Sequence, residues 1–148
     1  MPFHNRSFAS IGGIALAVAA TLPLLASPLA AQDFPDLRGA WSGTGWGAHA
    51  GDLRLVEAAP EPSFKDPTVV FTLEVKEQKN GGLIGTWSTS KASETLIGVI
   101  KPDNKGVLFV DEDSYLSGTL RSENEMEVCL QESTGKSMIA SCYVLTRQ

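Results

Sequence analysis

Residues 37–46 read Leu-Arg-Gly-Ala-Trp-Ser-Gly-Thr-Gly-Trp, and the interpretation of the whole chain starts from this stretch. Within this stretch, Gly39 lies where the backbone must bend, and the indole of Trp41 follows two residues later. Everything after residue 67 is patterned as short strands at regular spacing, and such strands need a first strand on which to close. We therefore interpret Arg38 to Trp46 as the first strand of the fold.

Alternating side chains predict the strands that follow. From Thr68, the apolar residues Val69, Phe71, Leu73 and Val75 alternate with mostly polar neighbours, which indicates a half-buried strand. Further strands are predicted at hairpin spacing over Leu83 to Ser90, Glu94 to Lys101, Gly106 to Asp111, Ser114 to Arg121, Glu125 to Glu132 and Lys136 to Arg147.

The sequence after residue 31 has no helical pattern. About eight strands joined by tight turns therefore predict an all-β fold. The favoured architecture is an antiparallel up-and-down β-barrel, in which the first and last strands pair and no edge stays open. A β-sandwich is the alternative, but it needs longer connections between sheets. Only the segment from Gly47 to Pro67 is long enough to provide one.

Two hairpins allow predictions of register. At Lys79-Asn80-Gly81-Gly82, a two-residue turn sets Glu74 opposite Trp87, whereas a three-residue loop with a left-handed Gly82 sets Val75 opposite Trp87. We prefer the second, because a slip of one residue moves a whole apolar face outward.

The last hairpin is expected to turn at Gly135-Lys136, with the glycine first, as a type II′ turn requires. Counting back from that turn sets Cys129 directly opposite Cys142, at a non-hydrogen-bonded pair where the strands come closest. An exported chain with two cysteines is expected to form this disulfide. The same register predicts a core face made of Met126, Val128, Tyr143 and Leu145.

Residues 1–31 have the layout of a secretory signal peptide. Arg6 precedes the apolar stretch from Phe8 to Leu25, and the small residues Ala30-Ala31 suit cleavage after Ala31. An uncleaved membrane anchor is the alternative. With cleavage, residues 32–148 form a single exported domain, periplasmic or secreted, without membrane insertion.

The formal charge of the 148-residue chain is -5, with 43% hydrophobic and 20% charged residues. This is the composition of a globular protein. The acidic balance argues against a nucleic-acid partner and against docking on anionic lipid.

The segment from Gly47 to Pro67 is interpreted as a long loop folded over one end of the barrel, with Asp52 to Val56 as its only strand-like piece. It carries His49, for which a solvated loop position and a ligand contact are the two readings. No motif indicates a nucleophile, metal site or cofactor, so we expect a protein that is not an enzyme. Trp41 is expected to plug the core, and Trp46, His49 and Trp87 are the candidate ligand-binding residues at the barrel mouth.

The Gly-x-Trp strand at 37–41 resembles the first strand of the avidin and lipocalin (calycin-type) barrels. The stretches Gly82 to Trp87 and Tyr143 to Thr146 are similar in style to inner and last strands of avidins. The resemblance implies a ligand-binding β-barrel. Avidins place a biotin-holding Asn two residues after the first Trp, where this chain has Gly43, so biotin itself is not implied.

We therefore expect an exported binding protein that captures a small, partly apolar ligand at the barrel mouth. The alternative is a protein-binding module, such as an inhibitor of an extracytoplasmic protease or lysozyme, because small exported bacterial inhibitors use barrels of this size.

Overall fold

The computed structural model describes residues 33–148 of the chain, so the predicted signal peptide, residues 1–31, lies outside the described residues. All regular structure in the described part is β-strand. The strands are β1 (Gly39–Gly43), β2 (Gly45–Gly51), β3 (Ala59–Phe64), β4 (Phe71–Lys79), β5 (Gly82–Ser88), β6 (Ser93–Ile100), β7 (Gly106–Val110), β8 (Ser114–Ser122), β9 (Glu125–Ser133) and β10 (Met138–Arg147). No helix in residues 33–148 has the length and apolar character needed to cross a membrane.

Eight of these strands form a closed barrel. Their order is β1-β4-β5-β6-β7-β8-β9-β10, and the last strand pairs with the first. Every pairing is antiparallel, from Trp41 opposite Arg147 at the closure to the hairpins between successive strands. The predicted antiparallel barrel of about eight strands is confirmed, and the β-sandwich alternative is wrong.

The first strand is longer than predicted. After a break at Thr44 the chain continues as β2, which stays paired with β10 from Met138 to Tyr143 but takes β3 as its other neighbour. Residues 47–51 and 59–64, predicted as loop, are therefore strands. The Asp52 to Val56 piece is not a strand, because its apolar side chains turn inward over the end of the barrel, where Leu53, Leu55 and Val56 are buried.

The preferred register of the β4–β5 hairpin is also wrong. Asn80 and Gly81 both have positive φ, at 49° and 79°, so the turn has two residues and Lys79 pairs with Gly82. A β-bulge between Val75 and Glu77 adds one residue to β4 and shifts the register, so that Trp87 lies opposite Leu73. The bulge thus returns the indole to the apolar face.

The β9–β10 hairpin has the predicted register. Cys129 lies opposite Cys142 and forms a disulfide with it, at a Cα–Cα separation of 4.0 Å. Met126, Val128, Tyr143 and Leu145 face the core and are completely buried. The backbone N–H of Thr134 donates to the carbonyl of Ser137 at 3.0 Å across the turn, as the two-residue loop requires.

Candidate functional site

The three candidate ligand-binding residues do not come together at one mouth. Trp87 is fully buried inside the barrel, whereas Trp46 is 60% exposed on the outer face, opposite Cys142. His49 lies on the inner face of β2 with only 9% of its surface exposed. The expectation of a solvated loop histidine is wrong, because residues 47–51 are a strand that turns His49 inward. The ligand-binding role of Trp46, His49 and Trp87 stays a prediction.

Aromatic side chains fill the middle of the barrel. The ring of Phe71 lies 5.1 Å from that of Trp87 and 4.5 Å from that of Tyr143, measured between centroids. The space between the ring of Phe71 and the inward residues of the Leu53–Val56 segment amounts to about 10 Å³. That volume holds about one water molecule, so this part of the interior has no room for an organic ligand.

A buried lysine completes this packing. The Lys65 ammonium lies 5.0 Å from the ring centroid of Phe71 and 5.2 Å from that of Tyr143, within reach of a cation–π interaction. It donates to the carbonyl oxygens of Gly45, at 3.4 Å, and Asp66, at 3.2 Å. Burial lowers the pKa of Lys65. These contacts anchor the chain after β3 to the barrel, which is a structural role.

A recess with a mainly apolar lining lies outside the barrel. This outer groove has a volume of about 630 Å³ and runs over β2, β9 and β10, between Pro62 of β3 and Tyr115 of β8. Its outward-facing lining residues are Ala48, Ala50, Gln131, Ser133, Met138 and Ala140, together with Asp113. His49, Glu132 and Ile139 belong to the inward-facing rows and line it near the ends of their strands.

Strand register explains the shape of the outer groove. One row of outward residues crosses five strands: Phe64, Ala48, Ala140, Gln131 and Tyr115 lie side by side in that order. Small alanine side chains form the floor, while Phe64 and Tyr115, 89% and 71% exposed, stand at the two ends. A large apolar surface open to solvent marks a contact site more often than it serves the fold.

Carboxylates gather beside the groove, where the barrel ends. This carboxylate cluster consists of Glu94, Asp111, Glu112, Asp113 and Glu132. Burial raises the pKa of Glu132 to about 7, and the neighbouring charges of Asp113, Glu94 and Asp111 add to the rise. Burial, with the charges of Asp111, Asp113 and Glu112, also raises the pKa of Glu94. Burial, with the charges of Asp111 and Glu112, raises the pKa of Asp113.

Few cations compensate the cluster. Arg54 Nε lies 3.9 Å from the nearer carboxylate oxygen of Glu94, and Asp111 accepts hydrogen bonds from the backbone N–H and the hydroxyl of Ser114, both at 2.6 Å. The nearby Lys91 ammonium donates instead to the carbonyls of Leu53, at 3.3 Å, and Val56, at 2.5 Å. No three or more His, Cys, Asp or Glu side chains within residues 33–148 are arranged to hold a metal ion.

The sequence contained part of the signal for this site. Val128 and Leu130 face inward, so the alternation carries Glu132, two residues further on, to the same face. Glu94 faces inward by the same rule, two residues before Leu96. No sequence pattern predicts the outer groove, because the groove depends on the non-local pairing of β2 with β3.

The fold defines the class of protein as a closed, eight-stranded antiparallel β-barrel with two additional strands, an architecture consistent with the calycin-type barrels. Beyond that class, comparison with known proteins found no protein-family model, no curated protein and no solved structure that matches the chain.

Proposed function

We propose that this chain is an exported, non-enzymatic binding protein of the avidin and lipocalin type that contacts a partner protein through the outer groove. One observation carries the proposal: the middle of the barrel is packed with aromatic side chains, and the large apolar recess lies on the outside. The Cys129–Cys142 disulfide supports export, because such bonds persist in oxidising compartments.

The surface has the composition of a protein contact site. Exposed aromatic side chains and a methionine, Trp46, Phe64, Tyr115 and Met138, surround a floor of alanines on one continuous sheet face. Aromatic residues and methionine are enriched in protein interfaces, and large aromatic side chains supply most of the binding energy. The predicted inhibitor of an extracytoplasmic hydrolase is one form that such a module could take.

Site-specific photocrosslinking tests this proposal. A benzoylphenylalanine placed at Tyr115, at one end of the groove, should crosslink a defined exported protein in the producing cell. The same group at Val99, an exposed position on β6 outside both the groove and the carboxylate cluster, should not. Equal crosslinking from both positions, or none from Tyr115, would contradict the proposal.

A second candidate function is capture of a small, partly apolar ligand, as the sequence suggested. The volume of about 630 Å³ supports it, because small-molecule sites commonly enclose 300–1,000 Å³. Native mass spectrometry of gently purified protein separates the two functions. A bound mass of a few hundred daltons, lost on denaturation and lost in an Ala140→Gln variant, would favour the small ligand.

A further inference from the structure

The outer groove and the carboxylate cluster share two residues. Asp113 and Glu132 line the groove and also belong to the cluster. An occupant of the groove therefore meets an apolar floor and, at one end, the carboxylates of Asp113 and Glu132. Among the described residues, the one ion pair of the cluster joins Arg54 to Glu94, which does not line the groove.

We infer that the outer groove binds a cationic, partly apolar segment of the partner protein, with Lys or Arg side chains directed at Asp113 and Glu132 and aliphatic side chains on the alanine floor. This inference rests on the proposed function and specifies the chemistry of the partner. Its physical basis is charge complementarity, since a bound ammonium or guanidinium group relieves the repulsion among the clustered carboxylates.

The structure favours docking on the face of the sheet over addition of a strand to its edge. β3 is the open edge beyond β2, and its sequence contains Pro60 and Pro62. The pairing of β3 with β2 is irregular between His49 and Gly51, opposite the part of β3 that contains the two prolines. Proline has no N–H to offer there, so this edge is a poor template for a new strand.

Charge also decides against two other occupants. A second copy of the chain, with formal charge -5, would bring two carboxylate clusters toward one another if both grooves faced. An anionic lipid surface would meet the same repulsion. A cationic, partly apolar segment can contact both the apolar floor and the carboxylates of Asp113 and Glu132 favourably.

Three labelled synthetic peptides test the inference by fluorescence anisotropy at pH ~8, above the pKa of about 7 to which Glu132 is raised. One alternates lysine with leucine, one glutamate with leucine, and one lysine with serine. The lysine–leucine peptide should bind at least about tenfold more tightly than either of the others, because it alone satisfies both parts of the site.

Matched variants locate the binding. Ala140→Gln on the groove floor should weaken binding of the lysine–leucine peptide about tenfold, while Val99→Gln, at an exposed position on β6 outside both the groove and the carboxylate cluster, should leave it unchanged. Asp113→Asn with Glu132→Gln should weaken it about fivefold. The same change of charge made at the other end of the barrel, Glu77→Gln with Glu123→Gln, should have little effect.

The inference is overturned if the glutamate–leucine peptide binds as tightly as the lysine–leucine one, or if Ala140→Gln has no effect. The crosslinking result separates this failure from that of the proposed function. A partner captured at Tyr115 through a segment without Lys or Arg would refute the inference alone, whereas no capture at Tyr115 and no peptide binding would refute both. Association into dimers that buries Tyr115 would identify a second copy as the occupant, and vesicle binding would identify lipid; either would refute the cationic segment.

Discussion

The guanidinium group of Arg147 lies over the indole ring of Trp41, with its central carbon 4.4 Å from the ring centroid. The same guanidinium donates to the carbonyl oxygens of Asp36, at 2.6 Å, and Arg38, at 3.3 Å. The indole N–H of Trp41 donates in turn to the carbonyl of Leu37 at 2.9 Å. These contacts tie the last strand to the first strand and to the segment before it.

Replacing Arg147 with methionine should therefore lower the free energy of unfolding by about 2 kcal/mol, because the cation–π contact and two hydrogen bonds to carbonyls are lost together. Urea unfolding followed by circular dichroism measures the change. Arg121→Met is the matched control: its ion pairs with Glu125 and Glu127 are at the surface, so the loss there should stay below about 1 kcal/mol. Equal losses in the two variants would contradict the closing role of Arg147.

The disulfide between Cys129 and Cys142 should contribute at most about 3 kcal/mol, because it closes a short loop within one hairpin. The double variant Cys129→Ala, Cys142→Ala should remain folded with a lower urea midpoint. Wild-type protein unfolded in the presence of a strong reductant should show the same midpoint as that variant. Failure of the double variant to fold at all would show that the hairpin depends on the bond.

Two glycines with similar backbone angles should respond differently to alanine. Gly81, with φ 79°, has the ring of Phe34 2.8 Å from the position of an added Cβ, whereas Gly135, with φ 81°, has nothing within 4 Å of that position. Gly135→Ala should cost about 1 kcal/mol from the left-handed conformation alone. Gly81→Ala should cost about 2 kcal/mol or more, because Phe34 must also move. Equal unfolding free energies for the two variants would show that Phe34 does not press on this turn.

The pKa of Glu132, raised to about 7, predicts how stability depends on pH. Between its unfolded value near 4.5 and this folded value, the folded state binds the extra proton, so stability is highest below the unfolded pKa and falls as pH rises toward 7. Glu132→Gln should therefore stabilise the protein by about 1 kcal/mol at pH ~8, after allowance for solvent screening, and by much less at pH ~5.

Urea unfolding of wild type and Glu132→Gln at both pH values measures this difference. Glu123→Gln, an exposed carboxylate in the β8–β9 turn, serves as the control and should give the same small change at each pH. A Glu132→Gln variant that is less stable than wild type at the higher pH would contradict the expected direction of the pH dependence.

The sequence predicted those parts of the fold that depend on local pattern. In the last hairpin, the turn glycine and the two alternating strands are close together in the sequence. Counting residues back from the turn was therefore enough to predict the pairing of Cys129 with Cys142. In the β4–β5 hairpin the same counting failed, because the bulge after Val75 is not visible in the alternation.

The candidate site was less accessible to prediction because it depends on non-local pairing. Pro60 and Pro62 made β3 look like a loop, since prolines rarely occur in strands except at an edge. Without β3, the segment around His49 had no neighbour on that side, and its inward orientation could not be inferred. Trp46 is exposed on the outer face, and the groove beside it depends on β3.

The exposure of Trp46 has a practical consequence for spectroscopy. Of the chain's three tryptophans, Trp41 and Trp87 are completely buried, and Trp46 alone meets solvent, next to the groove and opposite a disulfide-bonded cysteine. A collisional quencher such as iodide should therefore extinguish the emission of one indole and spare the other two. Trp46 is thus an intrinsic fluorescent reporter of the site. A bound partner should shield it from the quencher, and reduction of the neighbouring disulfide should increase its emission.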